Sequence, residues 1–531
     1  MRCANWLDGP LVFTLSCAYL WLLPDSFQFF DEGLLSDTAE RLYRGEILYR
    51  DIFAYWNPGG FWLCAAVFHI GGVSVASLRI SLLLFGALAA VGVWHLARDH
   101  CGRPLAILAG LAAPLICYPI WWMASPHWYS AFTAVGAAVA LRRSVGTRRA
   151  SPALLATGML CGATFAVLQP VGLFVFAAIG AWLAWDGVWI LSLASAMRRI
   201  ALFMVGALLP VAAMYAYFAA HDALGAMVYD TFLWNFEQYR TTLRSSYGGV
   251  SPFMTGDLPF HVIRWLLMVV PPIVYVLALG LAGLRYLRRA VTQQDRRLFA
   301  LASVGAGLLG SNYYYPDVVH LAFAAPPAFA VLAGLAGRSG ALNGRRGLAC
   351  GCAVLLLAFV AFAGIGSLVR ERSGCSAELA TPRGTIAIAP VVQRELEDVV
   401  SFLKRHLSES EPFYVYPGGP GYNFLMGRPN PSPYEMGWPH IPGFYTGEQL
   451  SELISALDRS QVKYVMVLLP LGRSALAESS GPLERYIRGH FRVVKRFRLT
   501  LIMERNDERA RSNREGSPPR RNELGVAPPS P

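Results

Sequence analysis

Charge is what this sequence has least of. Only 15% of its 531 residues are Asp, Glu, Lys or Arg, against about 25% in soluble globular domains. Lysine is nearly absent, with Lys404, Lys463 and Lys495 alone. Hydrophobic residues make up 55% and mean hydropathy is +0.40. Apolar runs near the ~20 residues needed to cross a bilayer recur up to residue 370 and not beyond. That excludes a soluble enzyme, a fibre and a disordered chain. After residue 370 Cys375 stands alone, so a disulfide framework is excluded there. Cys350-Gly351-Cys352 has the look of a metal or redox pair. It opens an apolar helix, so we read it as small-residue packing. Repeats of 20–50 residues are missing, as are the paired broken helices of transporters.

The basic excess, +12 at pH 7, is almost all Arg in short loops between apolar runs. That pattern orients a chain in a bilayer, whereas a nucleic-acid binder gathers cations on one folded face. The reading is therefore a lipid-embedded protein with no nucleic-acid partner. Eleven spans are expected, at about 6–23, 75–97, 104–123, 127–141, 152–168, 171–196, 200–220, 262–284, 298–311, 319–337 and 347–369. The first has no Ala-x-Ala pattern after it and reads as an uncleaved span. Pro58–Gly72 is apolar but short, which suits a re-entrant or interfacial helix. Alternate loops carry the arginines: Arg98 and Arg103; Arg142, Arg143, Arg148 and Arg149; Arg198 and Arg199; Arg285, Arg288, Arg289, Arg296 and Arg297; Arg338, Arg345 and Arg346. The positive-inside rule puts these loops and the N-terminus in the cytoplasm. The loops at about 24–74 and 221–261 and everything after 370 are then outside. The membrane part is 1–370, a C-terminal extracytoplasmic domain 375–505, and a charged, Pro-rich tail 506–531 reads as disordered.

The outer domain alternates helix and strand. Val392, Leu396, Val399, Val400, Leu403 and Leu407 line one helix face. Strands are expected at 413–416, 464–469 and 492–504, and helices at 448–457 and 483–490, giving a small α/β domain. The Pro/Gly-rich loop Pro417–Pro442 is long enough to be functional or a cover facing a ligand.

Asp31 and Glu32 stand just past the outer end of span one, at the start of an amphipathic stretch, Leu34–Tyr43. A carboxylate there can take a proton from a hydroxyl or hold a divalent cation. The bland alternative is a helix cap. Arg41, Arg44 and Arg50 offer fork-shaped donors suited to phosphate, or pair with Glu40, Glu46 and Asp51 inside the loop. Arg79, where span two meets the outer face, either anchors a phosphate or snorkels. His127, in Ser125-Pro126-His127-Trp128-Tyr129, is a metal or phosphate ligand, or an interfacial histidine in an aromatic belt. Asp317 and His320 are three apart after Pro316 and can face one pocket; otherwise Asp317 is a helix N-terminal acid. Gln169 reads as a helix-turn residue. Asp230, Glu237, Tyr239 and Arg240 in the second long loop are candidate contacts among which the sequence does not choose.

Asp31-Glu32, Ala39-Glu40-Arg41-Leu42 with Gly45-Glu46 and Tyr49-Arg50-Asp51, Pro58-Gly59, and Gly71-Gly72 with Ser77-Leu78-Arg79 together resemble the membrane glycosyltransferases of the GT-C fold. The likeness is to the group that includes protein O-mannosyltransferases and the aminoarabinose and lipopolysaccharide-core sugar transferases. It covers about residues 25–145, and topology extends it to 370. The resemblance implies an α-helical polytopic membrane enzyme in a bacterial inner membrane. Such an enzyme moves a sugar from a polyprenyl-phosphate donor to a hydroxyl of a lipid, glycan or protein acceptor at the outer face. It implies Asp31 as general base, Glu32 as its partner or a metal ligand, and inversion at the sugar carbon. Arg41, Arg44, Arg50, Asp51, Arg79, His127, Asp317 and His320 become substrate-binding candidates. A divalent metal on Asp31, Glu32 and His127 is the only cofactor suggested. In the aminoarabinose branch a Lys precedes the Pro of the short helix; here that place is Asn57, so phosphate contacts must differ. A flippase or transporter of lipid-linked glycans is the alternative, and an assembly scaffold a third reading. A transporter keeps its ionisable groups near mid-membrane, whereas here they gather at the outer edge.

Overall fold

The structure, a computed structural model, describes residues 6–506 except 147–149, 240–244, 251–257, 339–345, 436–440, 442, 470–475 and 477–480; in 346–357 only the backbone is described. Arg148, Arg149, Arg240, Arg244, Arg345, the side chains of Arg346, Cys350 and Cys352, and the tail from 507 lie outside the described residues.

Fourteen of the described helices build the membrane part and its long loops up to residue 338. They are α1 (Asp8–Trp21), α2 (Asp31–Tyr43), α3 (Gly59–Gly71), α4 (Val75–Ala97), α5 (Arg103–Ala112), α6 (Pro126–Ser144), α7 (Ala150–Val167), α8 (Gln169–Ile190), α9 (Leu193–Ala220), α10 (Leu224–Val228), α11 (Leu258–Leu287), α12 (Gln293–Gly310), α13 (Val318–Ala324) and α14 (Pro326–Arg338). The long α15 (Arg346–Gly374) leads out to the C-terminal part. Each of the eleven expected segments is helical. Among the described residues, six helices are long and apolar enough to cross a membrane: α4, α5 with its continuation to Trp121, α7, α8, α9 and α11. The pair α13 and α14, bent by 57°, makes a seventh if it is one span. Of the others, α1 has 14 residues, fewer than a straight crossing needs, and α6 and α12 carry Arg at one end. Pro58–Gly71 forms the short apolar helix the sequence suggests, α3.

Local chemistry sets the helix starts. Ser74 accepts the backbone N–H of Ser77 at the head of α4, and Thr292 with Asp295 forms a capping box on α12. Small residues let helices meet: a Cβ on Gly158 of α7 would come within 2.1 Å of the Phe203 carbonyl of α9.

Beyond α15, β1 (Ala377–Thr381) and β2 (Gly384–Ile388) form an antiparallel hairpin. Then come α16 (Pro390–His406), β3 (Tyr414–Tyr416), α17 (Pro420–Met426), α18 (Gly447–Arg459), β4 (Tyr464–Leu468), α19 (Pro482–His490), β5 (Phe491–Arg496) and β6 (Thr500–Arg505). The sheet order is β3-β4-β6-β5, parallel between β3 and β4 and antiparallel elsewhere. The expected strands and helices of this part are all there. The β1–β2 hairpin and α17, inside the Pro/Gly loop, are additions the sequence reading did not foresee.

The C-terminal part sits directly on the first long loop. Ala387 donates to the Asp25 carbonyl at 3.0 Å. Phe29 stacks on Tyr422 at 4.4 Å between ring centroids, and Phe27 on Phe424 at 5.8 Å.

Candidate active site

The site grows from the start of α2. The Gln28 side chain accepts the backbone N–H groups of Asp31 and Glu32, and the Glu32 carboxylate accepts the Gln28 N–H. This reciprocal cap fixes the first turn. Adjacent helix positions differ by about 100° in direction, so the two carboxylates part company. Glu32 turns inward. It is fully buried and paired through both oxygens with Arg79, and it also accepts the Ala124 N–H at 3.0 Å. Arg79, equally buried, also donates to the Ser26 carbonyl. The pair of Glu32 and Arg79 holds the loop to α4.

Asp31 turns the other way, toward His320 and Asp317. It is open to solvent, yet closely ringed by protein. Burial pushes its carboxyl up to about 6; His320 pulls it down and Asp317 pushes it further up. Asp317 caps α13, accepting the His320 N–H at 2.9 Å, and its same oxygen meets His320 Nδ1 at 2.7 Å. Asn312 donates to the His320 carbonyl. The His127 ring stands edge-to-face to His320 at 4.7 Å, lies flat on Phe323 at 5.0 Å, and meets Trp56 at 6.0 Å. The fold thus gathers Asp31, His127, Asp317 and His320 from three segments about 100 to 200 residues apart. Three phenols join them. Tyr55, Tyr239 and Tyr315 lie close enough for the charge of Asp31 to help keep them protonated, with burial the larger cause. Sequence reasoning weighed Tyr239 but passed over Tyr55. Its one signal was a place in an aromatic loop.

The other expected phosphate ligands resolve as an ion-pair network. Arg41 meets Glu435 and Glu46, each at 2.6 Å, and the Ser432 carbonyl at 2.8 Å. Arg44 pairs with Glu40, which also takes Arg383, and Arg50 pairs with Asp51 at 2.8 Å. The Asp51 carboxylate also accepts the Ile47 N–H. These residues tie the first loop to itself and to the C-terminal part. The pairings within the loop are those the sequence offered as the alternative to phosphate contacts for Arg41, Arg44, Arg50 and Asp51. Gln169 is a cross-link: it accepts from the Asn57 N–H and donates to the carbonyls of Tyr55 and Thr231.

Among the described residues no three His, Cys, Asp or Glu side chains stand together as a metal site. The trio Asp31, Glu32 and His127 does not converge, since Glu32 is committed to Arg79.

No protein-family model and no curated protein sequence matches this chain. Solved structures do. ArnT from Cupriavidus metallidurans, bound to undecaprenyl phosphate, is 13% identical with a TM-score of 0.59, over 94% of this chain and 98% of that one. An Archaeoglobus fulgidus oligosaccharyltransferase tethered to an acceptor peptide is 13% identical with a TM-score of 0.54, over 95% of this chain and 74% of that one. Its complex with an inhibitory peptide and a dolichol-phosphate gives a TM-score of 0.51 at 13% identity, over 92% and 73%. A structure of the same enzyme holds Zn and sulfate. These neighbours are GT-C glycosyltransferases, and this chain has their fold: a mostly helical, multi-pass membrane protein with a small C-terminal sheet domain.

Proposed function

We propose that the chain is a membrane glycosyltransferase that moves a sugar from a polyprenyl-phosphate carrier to an acceptor hydroxyl. The observation that carries the reading is the cluster that brings Asp31 beside Asp317 and His320, with His127 against His320. The neighbours' bound polyprenyl phosphates supply the donor class.

In this scheme the acceptor hydroxyl gives its proton to Asp31. Its oxygen then attacks the anomeric carbon as the carbon–oxygen bond to phosphate breaks on the opposite face. Polyprenyl phosphate leaves with the bonding pair, and the sugar configuration inverts. Phosphate is already a good leaving group, so one base suffices. Asp317 fixes the His320 ring through Nδ1, leaving Nε2 for the substrate. His127 and the phenols of Tyr55, Tyr239 and Tyr315 supply N–H and O–H donors toward developing negative charge, and the free Nε2 of His320 accepts a hydrogen bond from a substrate hydroxyl. No step requires a metal. Residues 1–370 carry the transfer, 375–505 brace the first loop from outside, and the enzyme belongs in a bacterial inner membrane with its N-terminus in the cytoplasm.

The test is release of free polyprenyl phosphate by purified protein in lipid, given a panel of polyprenyl-phosphate sugars and an envelope extract. Asp31→Asn is expected to lower release by about 10²–10⁴-fold while the protein still inserts and keeps its thermal transition. Wild-type release by that variant would refute the assignment.

A further inference from the structure

A polar chamber lies where the two outer loops meet the C-terminal domain. Its volume is about 240 Å³, below the ~300–1,000 Å³ of pockets for drug-sized ligands, so it has room for one small ring. It is lined by Tyr49 to Phe53 of the first loop, Tyr229 and Asp230 of the second, and Pro433, Tyr434 and the first turns of α18.

Its ionisable acid and base side chains are mostly carboxyls: Asp51, Asp230, Glu448 and Glu452 against one arginine. Arg50, the lining cation, is already held by Asp51. An anionic ligand therefore meets repulsion. Asp230 is the telling residue. It is 94% buried, lines the chamber, and accepts the Ala54 backbone N–H, with no cation paired to it among the described residues. Burial pushes its carboxyl up to about 8. At neutral pH it is therefore mostly protonated and able both to donate and to accept a hydrogen bond. Glu452 accepts the Tyr434 hydroxyl at 2.6 Å, which fixes that ring over the chamber. Phe53, Tyr229 and Tyr434 add flat apolar surface. Aromatic faces with a carboxyl that donates and accepts suit a sugar ring, whose faces are C–H and whose edges are hydroxyl.

The chamber also borders the reaction site. Phe53 packs on Trp234 at 5.1 Å, and Trp234 stacks on Tyr55 at 5.1 Å; Tyr55 is one of the phenols beside Asp31. We infer that this chamber is a carbohydrate subsite, holding one neutral or amine-bearing hexose ring of the acceptor, a residue removed from the hydroxyl that reacts. The acceptor is then a glycan. This rests on the transferase reading, but its binding readout is separate.

Saturation-transfer NMR on the full-length protein in nanodiscs tests it, with methyl glucoside, methyl glucosaminide and methyl glucuronide as probes. Saturation is expected on the first two and not on the glucuronide. Asp230→Leu, which removes both donor and acceptor, and Glu448→Gln, which removes the charge, should each weaken binding about tenfold. Glu448 is exposed, so its variant leaves folding intact even if that of Asp230 does not. Asp31→Asn should bind like wild type. A polyprenyl-phosphate glucose that fails to displace the glucoside supports an acceptor subsite. Displacement, equal binding of the glucuronide, no saturation of any sugar, or full binding by Glu448→Gln overturns it. Binding that persists in a protein releasing no polyprenyl phosphate would leave the subsite standing and remove the transferase reading.

Discussion

A base that deprotonates an alcohol must be ionised at working pH yet hold its proton tightly once it arrives. Burial serves both needs for Asp31 by lifting its carboxyl to about 6. Its base form then predominates at pH 7 and is lost as pH falls. Transfer at low substrate is expected to drop with unit slope below pH 6, and a rate flat from pH 5 to 8 would remove Asp31 from the proton step. Its sequence neighbour has the opposite job. Glu32 and Arg79 form a bidentate pair with 0% and 5% side-chain exposure. Removing one partner of such a pair costs about 3–5 kcal/mol, whereas replacing both with apolar groups is often nearly neutral. Arg79→Ala should therefore lower the thermal transition sharply, and the double variant Glu32→Leu/Arg79→Met should recover much of it. A double variant as unstable as the single one would show that Glu32 has a further partner of comparable weight.

At the scale of elements, the helix carrying Asp31 is clamped by a segment from nearly 400 residues away. A Cβ on Gly33 of α2 would come within 2.5 Å of Gly421 of α17, and one on Gly421 within 2.6 Å of the Phe29 carbonyl. Two glycines thus let two backbones touch. Gly421→Ala should cost about 1–3 kcal/mol through overpacking and reduce transfer with it, read by thermal unfolding and by polyprenyl-phosphate release. An unchanged transition would mean that the contact is looser than the structure has it. Such pairings mark the boundary of what the sequence reveals. Asp31, His127, Asp317 and His320 were legible because ionisable residues at outer helix ends are rare and local. The separate fates of Asp31 and Glu32 were not, since adjacency in sequence hides a ~100° turn. The partners of Arg41 and Glu40 were not either, because Glu435 and Arg383 lie some 340 to 390 residues further on. The β1–β2 hairpin was missed although Pro382-Arg383-Gly384 carries a turn signal, because its strands have five residues each.

At the scale of the whole molecule, the arginine-rich loops share one face. Asp99 binds Arg142 and Arg297, Asp186 binds Arg199 and Arg296, and Asp295 binds Arg285 and Arg338. These pairs join the ends of helices from α4 to α14 at three aspartates. The alternation read from charge alone therefore corresponds to a physical side, opposite Asp31 and the C-terminal domain. The positive-inside rule assigns that side to the cytoplasm. Cysteine labelling in intact cells tests the assignment in a cysteine-free background. Ser408, exposed in the C-terminal domain, and Ser192, exposed between α8 and α9, are the reporters. Ser408→Cys should react with a membrane-impermeant maleimide once the outer envelope is opened, and Ser192→Cys only after the inner membrane is broken. The reverse pattern would put Asp31 in the cytoplasm. Sugar nucleotides are available there, and the case for a lipid-linked donor would lose its physical basis.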